Sequence, residues 1–202
     1  MKRNTHERVI SINAINVNIR KLHEDAVIPR YATSGAAAFD LVSVADVIIS
    51  PGETAKIPLG IAFEIPEGYV MYVMMRSGIA LKTKLRQPNG VGVIDSDYRG
   101  EVSMLFDNAC GYTNFQDFTF GLVSGNFLTY DVNGENETEV DAKYYGETPD
   151  VYYSIRKGDR IAQALIQRIP HVEFTLVDAL NETQRGGGGF GSSGVKSEVN
   201  AE

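Results

Sequence analysis

Short apolar stretches alternate with polar turns along this chain, and most of the stretches have the period of strands. Ile15, Val17 and Ile19 alternate with Asn16, Asn18 and Arg20, a period of two. Two apolar runs, 54–65 and 69–75, are bounded by the turn signals Pro51-Gly52-Glu53 and Pro66-Glu67-Gly68. Farther on, Val151–Ile155 and Ile161–Ile166 flank a third turn, Lys157-Gly158-Asp159. Only Ser77–Lys84 reads as helix, and it is short. Many short strands with frequent turns predict an all-β domain, a sandwich or a barrel. No internal repeat is present.

Two segments break the pattern and set the expected domain boundaries. Residues 111–150 are rich in Gly, Asn, Thr and acids, yet hold Tyr112, Phe115, Phe118, Phe120, Phe127, Tyr130, Tyr144 and Tyr145. Disordered segments lack such aromatics, so this one reads as a small folded insert, with Asn133-Gly134 turning a hairpin between Phe127–Val132 and Thr138–Val140. From residue 181 the chain is polar and glycine-rich, unable to form a core alone. The expected division is a core of 1–110 and 151–180, an inserted subdomain of 111–150, and an arm and tail of 181–202.

Charge sharpens this division. The net charge is −7, and residues 111–150 account for all of it, with eight acids against the single base Lys143. The remainder is neutral, which argues against a nucleic-acid partner but leaves room for one small anion in a local pocket. With 43% hydrophobic and 22% charged residues, the chain of 202 can pack a core. No apolar run approaches the roughly 20 residues that span a bilayer, and the N-terminus lacks a signal-peptide core, so a cytoplasmic location is expected, the host's if the protein is viral. One cysteine, Cys110, allows no internal disulfide, and three scattered histidines make no cluster.

Five stretches bear chemistry. In Arg185-Gly-Gly-Gly-Gly-Phe190-Gly-Ser192-Ser193-Gly194, glycines such as Gly189 and Gly191 let backbone N–H groups approach an anion, while Arg185, Ser192 and Ser193 add donors. Phe190 offers a face on which a base can stack. A flexible tail without a role has the same composition. Arg76-Ser77-Gly78 opens the short helix, where free N–H groups suit phosphate; an ordinary Ser cap looks the same. Residues 89–100 read as an apolar hairpin bearing Asp95 and Asp97 on one strand face, and a carboxylate in a cleft can orient and deprotonate water. Solvated turn acids fit that stretch as well. Asp40, between apolar neighbours, and the turn into a strand at Gly158–Gln163 are weak signals alone.

Taken in order and spacing, the five stretches resemble the motifs of the trimeric dUTPase family. They are Ala37-Ala38-Phe39-Asp40-Leu41, Arg76-Ser77-Gly78-Ile79-Ala80, Gly92-Val93-Ile94-Asp95-Ser96-Asp97-Tyr98-Arg99-Gly100, Gly158-Asp159-Arg160-Ile161-Ala162-Gln163, and Arg185 through Gly194. The match spans about residues 15–110 and 151–195. The resemblance implies a distorted jelly-roll β-barrel forming a homotrimer, its sites shared between subunits and closed by an exchanged C-terminal arm. It implies hydrolysis of dUTP to dUMP and pyrophosphate, which lowers dUTP and supplies dUMP for thymidylate synthesis.

Roles follow from the same resemblance. Asp95 activates the attacking water. Tyr98 packs under the deoxyribose, and Asn89 with the backbone of Gly92, Val93 and Ile94 reads uracil. Arg76, Ser77, Gly78 and Gln163 hold phosphates and the water. Arg185, Gly189, Gly191, Ser192 and Ser193 grip the terminal phosphates while Phe190 caps the base. Asp40 contacts Mg²⁺ through its water shell. Two features depart from the family pattern: Ala38 stands where Gly is usual, and ordinary members lack 111–150, although some phage members resemble this chain in carrying such an insert. Two other readings are a dCTP deaminase, with or without dUTP hydrolysis, and a regulatory protein that docks a basic partner on 111–150. A tolerated surface loop is the plain reading of the same insert.

Overall fold

The computed structural model describes residues 14–110, 127–135, 150–189 and 192. Among them, twelve strands and one helix follow in the order β1 (Asn18–Lys21), β2 (Phe39–Val42), β3 (Val47–Ile49), β4 (Thr54–Pro58), β5 (Ile61–Glu64), β6 (Tyr69–Met75), α1 (Ser77–Lys82), β7 (Leu85–Arg86), β8 (Gly92–Ile94), β9 (Ser103–Asn108), β10 (Phe127–Tyr130), β11 (Asp150–Ile155) and β12 (Arg160–Arg168). The all-β class expected from the turn-punctuated pattern is the class found. Two units are distinguished, 1–170 and 171–202.

Four small sheets make up the first unit: β1-β5, β10-β11-β3, β2-β12-β6-β8 and β4-β9-β7. Alternation decides which side chains face inward. In β4, Ala55 and Ile57 are buried while Thr54 and Lys56 are exposed; in β9, Met104 and Phe106 are buried. Antiparallel register sets Ala55 opposite Phe106 and Ile57 opposite Met104, so the two strands fill the core as direct cross-strand pairs. Leu85 of β7 in the same sheet, Leu59 of the loop after β4, and Leu41, Ile49, Ile61, Met71, Ile155 and Ile161 from the other sheets complete it. Each such side chain contributes on the order of 1.5–3 kcal/mol by leaving water.

The run 54–65 is not one strand. It breaks at Gly60, whose φ is +66°, into β4 and β5 in different sheets. A Cβ there would fall 2.8 Å from Val44 Cγ1 and 2.9 Å from the His23 Cβ, so glycine is required both for conformation and for space. The helix is shorter than the pattern suggests, ending at Lys82 rather than 84. Thr83 turns its hydroxyl back onto the Ile79 carbonyl at 2.7 Å and then accepts the Leu85 N–H, which stops the helical ladder.

Within 111–150, residues 127–135 pack with this core. β10 pairs in parallel with β11, Val132 is buried, and the rings of Tyr130 and Tyr153 lie 6.2 Å apart. The Asn133-Gly134 turn is present, with the Asp131 carboxylate accepting the N–H groups of Asn133 and Glu135. Its expected partner strand, 138–140, lies outside the described residues. Among the described residues no helix is long and apolar enough to cross a membrane.

Asn108 joins three strands. Fully buried at the end of β9, it donates from Nδ2 to the carbonyls of Ile49 in β3 (3.1 Å) and Val151 in β11 (2.8 Å). Asn108→Ala leaves both carbonyls without that donor and should lower unfolding free energy by about 2–3 kcal/mol. A denaturant midpoint equal to wild type would contradict this role.

Candidate active site

Three of the five stretches meet at one end of the sheet β2-β12-β6-β8. Antiparallel register puts Gln163 of β12 between Asp40 of β2 and Met74 of β6, so all three share a face. Arg76 follows β6 directly. Its Nε lies 3.1 Å from Asp40 Oδ1, and its Nη1 donates to the Arg160 carbonyl at 2.9 Å. Arg160 Nη1 donates to Asp40 Oδ2 at 3.1 Å. One carboxylate thus orients two guanidinium forks, leaving a net positive group to receive an anion. Asp40 takes up this position with Ala38 in its motif.

Arg160 was not singled out among the candidate residues, although it stands in the fourth stretch. Its partner Asp40 is 120 residues away, and that distance concealed the pairing. The turn before it is fixed from several sides. Gly158 (φ +94°) donates to the Ser43 carbonyl, and the Asp159 side chain accepts the Arg156 N–H. Lys157 Nζ lies 3.0 Å from Asp25, whose carboxyl is held below its ordinary pKa by that hydrogen bond, while the lysine is raised by it. The Asp25 contribution is present at neutral pH and lost as pH falls through the depressed value.

Ser77 is not the helix cap. Arg76 occupies that position in extended conformation, Ser77 is the first helical residue, and no side-chain cap bond forms. Ser77 and Gly78 are both exposed beside Arg76.

The third stretch is not a hairpin. Residues 87–90 form a turn closed by Gly90 N–H to the Gln87 carbonyl, with Asn89 exposed, and β8 pairs with β6. Gly92 lies against Val73, where a Cβ would come within 3.2 Å of that side chain. The strand ends at Ile94, so Asp95 and Asp97 do not share a strand face. They lie in a turn closed by Tyr98 N–H to the Asp95 carbonyl at 3.2 Å. Asp95 is exposed and lines an open cleft of about 850 Å³ with Asn16, Asn18, Glu67, Asp97 and Arg99. The Tyr98 ring, largely exposed, folds back over Gly100, where a Cβ would collide with it, and its hydroxyl donates to the Glu101 carbonyl.

Asp95 and Arg76 stand at opposite ends of β6. Ile94 is opposite Met71, whereas Arg76 comes after Met75. Five residues of strand separate these levels, about 17 Å at about 3.3 Å per residue.

In the second unit Arg185 donates from Nε to the Gly188 carbonyl at 2.8 Å. Gly186 (φ +51°) donates to Thr183, Gly188 to Arg185, and Ser192 to Gly189. The exposed arginine is therefore tethered to the glycine loop that follows it. Phe190, Gly191 and Ser193 lie outside the described residues. Just upstream, Val172, Phe174 and Leu176 alternate with Glu173 and Thr175, and Phe174 and Leu176 are almost fully exposed.

Among the described residues no group of three or more His, Cys, Asp or Glu side chains is placed to hold a metal ion. Both oxygens of Asp40 are engaged by arginines.

Comparison with known proteins identifies the family. The dUTPase family model matches residues 24–115 and 138–194. The deoxyuridine 5'-triphosphate nucleotidohydrolase of Nautilia profundicola is 38% identical over 180 residues, covering 89% of this chain and 99% of that protein. The enzyme of the same description from Helicobacter pylori J99 is 32% identical over 181 residues, covering 90% and 98%. Among solved structures, the Staphylococcus bacteriophage 80alpha dUTPase with dUPNHPP has a TM-score of 0.74 at 30% identity, covering 90% of this chain and all of that one. The dUTPase from phage phi11 of S. aureus, in a structure that visualises its species-specific insert, has a TM-score of 0.68 at 28% identity, covering 84% and 100%. This chain belongs to the dUTPase family. The expected dUTPase-like barrel is the fold it has.

Proposed function

We propose that this chain hydrolyses dUTP to dUMP and pyrophosphate by water attack at the α-phosphorus, and does so as a homotrimer. The observation behind this reading is the Arg76–Asp40–Arg160 cluster at one end of β6, with Asp95 at the other, in a chain whose relatives are named for dUTP hydrolysis. The relatives described above are named for dUTP hydrolysis and not for dCTP deamination.

In-line attack on a phosphoryl group needs little covalent chemistry from the protein. It needs positioning and charge stabilisation. Arg76 and Arg160, held by Asp40, supply fixed positive charge for the phosphate oxygens, with Ser77, Gly78 and Gln163 as neighbouring donors. Mg²⁺ bound to the triphosphate would offset further negative charge and polarise the phosphoryl oxygens. Asp95 orients a water and accepts its proton, for which it must come within about 2.6–3.2 Å of that water. Tyr98, beside the turn, supports the sugar where a 2′-hydroxyl would collide with its ring. Asn89 and the backbone of Gly92–Ile94 read the uracil edge.

The separation of about 17 Å along β6 keeps Arg76 and Asp95 of one copy from serving the same α-phosphate. Assembly removes the difficulty, because one copy supplies Arg76, Asp40 and Gln163 and a second supplies Asp95 and Tyr98. A third closes the site with Arg185, Gly189, Phe190, Gly191, Ser192 and Ser193. The exposed Val172, Phe174 and Leu176, spaced as one face of a strand, support association between copies. A protein partner for the acidic segment 111–150 is a separate proposal that rests on charge alone. It requires that neutralising Glu137, Glu139, Asp141 and Glu147 leave dUTP turnover intact while abolishing association with a basic partner.

Pyrophosphate release measured with dUTP, dTTP, dCTP and UTP in Mg²⁺ tests the reading. Release from dUTP alone is expected, and equal release from UTP would overturn it. Asp95→Asn should lower kcat by about a hundredfold or more while dUTP still binds, since the base is lost and the shape kept; unchanged turnover would remove Asp95 from the mechanism. Truncation after Gln184 should give a folded trimer with little activity, and an active truncate would contradict the closing role of the arm.

A further inference from the structure

Met75, the last residue of β6, is held on both of its peptide groups by glutamine side chains. Its N–H donates to Gln87 Oε1 at 2.8 Å, and its carbonyl accepts from Gln163 Nε2 at 3.2 Å. Gln87 also donates from Nε2 to the Val73 carbonyl at 3.0 Å. β8 pairs with β6 only over Met71–Val73, ending at Val73 opposite Gly92. Beyond that point the Gln87 carboxamide takes the place of a neighbouring strand, with one acceptor and one donor set at ladder spacing. Both bonds are partly buried, so water is a poor substitute for them.

The main chain of the same residue does something different. The Gln87 carbonyl accepts the Gly90 N–H and opens the turn that presents Asn89 and leads into β8. Its side chain therefore fixes the backbone immediately before Arg76, and its carbonyl starts the segment assigned to the base.

We propose that Gln87 is a positioning residue for dUTP hydrolysis, setting the place of Arg76 and the approach of the 89–94 segment together. This rests on the function proposed above. In the trimer these two segments of one chain serve neighbouring sites, so every site feels a change at Gln87 twice, once through its phosphate end and once through its base end. Arg76 meets the phosphates in the bound substrate and in the transition state alike, so its misplacement raises KM more than it lowers kcat.

The test uses the full-length trimer with Gln87→Leu, which keeps the bulk and removes both bonds, and Gln87→Glu, which keeps the acceptor for Met75 N–H. Ile57→Val, a core truncation in β4, serves as a stability comparator. For each, kcat and KM with dUTP, the dUTP/dTTP ratio of kcat/KM, and the melting temperature are measured. Gln87→Leu is expected to raise KM about 3- to 10-fold, to leave kcat within about twofold, and to narrow the dUTP/dTTP ratio several-fold. Gln87→Glu should fall between it and wild type. Ile57→Val should lower the melting temperature and move neither KM nor the ratio.

Wild-type KM and nucleotide preference in both Gln87 variants, whatever their melting temperatures, would overturn the inference and leave a structural residue. Should Gln87→Leu not fold, the same wild-type values in Gln87→Glu alone overturn it. A wild-type enzyme that leaves dUTP intact overturns the proposed function, and this inference with it.

Discussion

The length of β6 governs the rest of this molecule. It is a seven-residue strand, with the guanidinium of Arg76 emerging from one end and the turn of Asp95 abutting the other through β8. A rigid, hydrogen-bonded strand cannot shorten, so one chain cannot bring both groups to a single phosphorus. In the function proposed here the fold supplies the two halves of a site, and assembly joins them.

Each half is organised by polar contacts between elements remote in sequence. Asp40 holds Arg76 and Arg160 at the Arg76 end of β6, where β2, β6 and β12 converge. At the opposite end the short β8, the turn at Asp95 and the ring of Tyr98 over Gly100 present a carboxylate to an open cleft. In the second unit the exposed Arg185 is tethered to the carbonyl of Gly188. Preorganisation of this kind suits a reaction whose catalysis is mostly placement and charge.

Much of the barrel was legible because turns announce themselves. Pro51-Gly52-Glu53, Pro66-Glu67-Gly68 and Lys157-Gly158-Asp159 bound strands close to where the pattern put them. The break at Gly60 was hidden inside an apolar run, since its cause is the crowding of Val44 and His23, which a linear pattern does not contain. The expected helix overran its true end because the Thr83 hydroxyl takes the Leu85 N–H away from the helical ladder, a local contest that apolar periodicity ignores. The parallel pairing of β10, inside the acidic segment, with β11 of the core is non-local and left no sequence signal. For the site, residue types at Arg76, Asp95 and Arg185 suggested phosphate and water chemistry, but their particular roles came from family resemblance. Arg160 escaped notice because its meaning depends on a partner 120 residues away, and Gln87 because a glutamine beside a proline turn looks ordinary.

Subunit mixing examines the shared site most directly. Assayed at dUTP well below KM, trimers of Arg76→Ala chains and trimers of Asp95→Asn chains should each be nearly inactive, because every site lacks one half. Unfolded together and reassembled in equal amounts, the two chains should recover about a quarter of wild-type dUTP turnover, the share of sites that draw an intact Arg76 from one copy and an intact Asp95 from its neighbour. Mixed trimers of confirmed composition that stay as inactive as their parents would contradict a site built between copies.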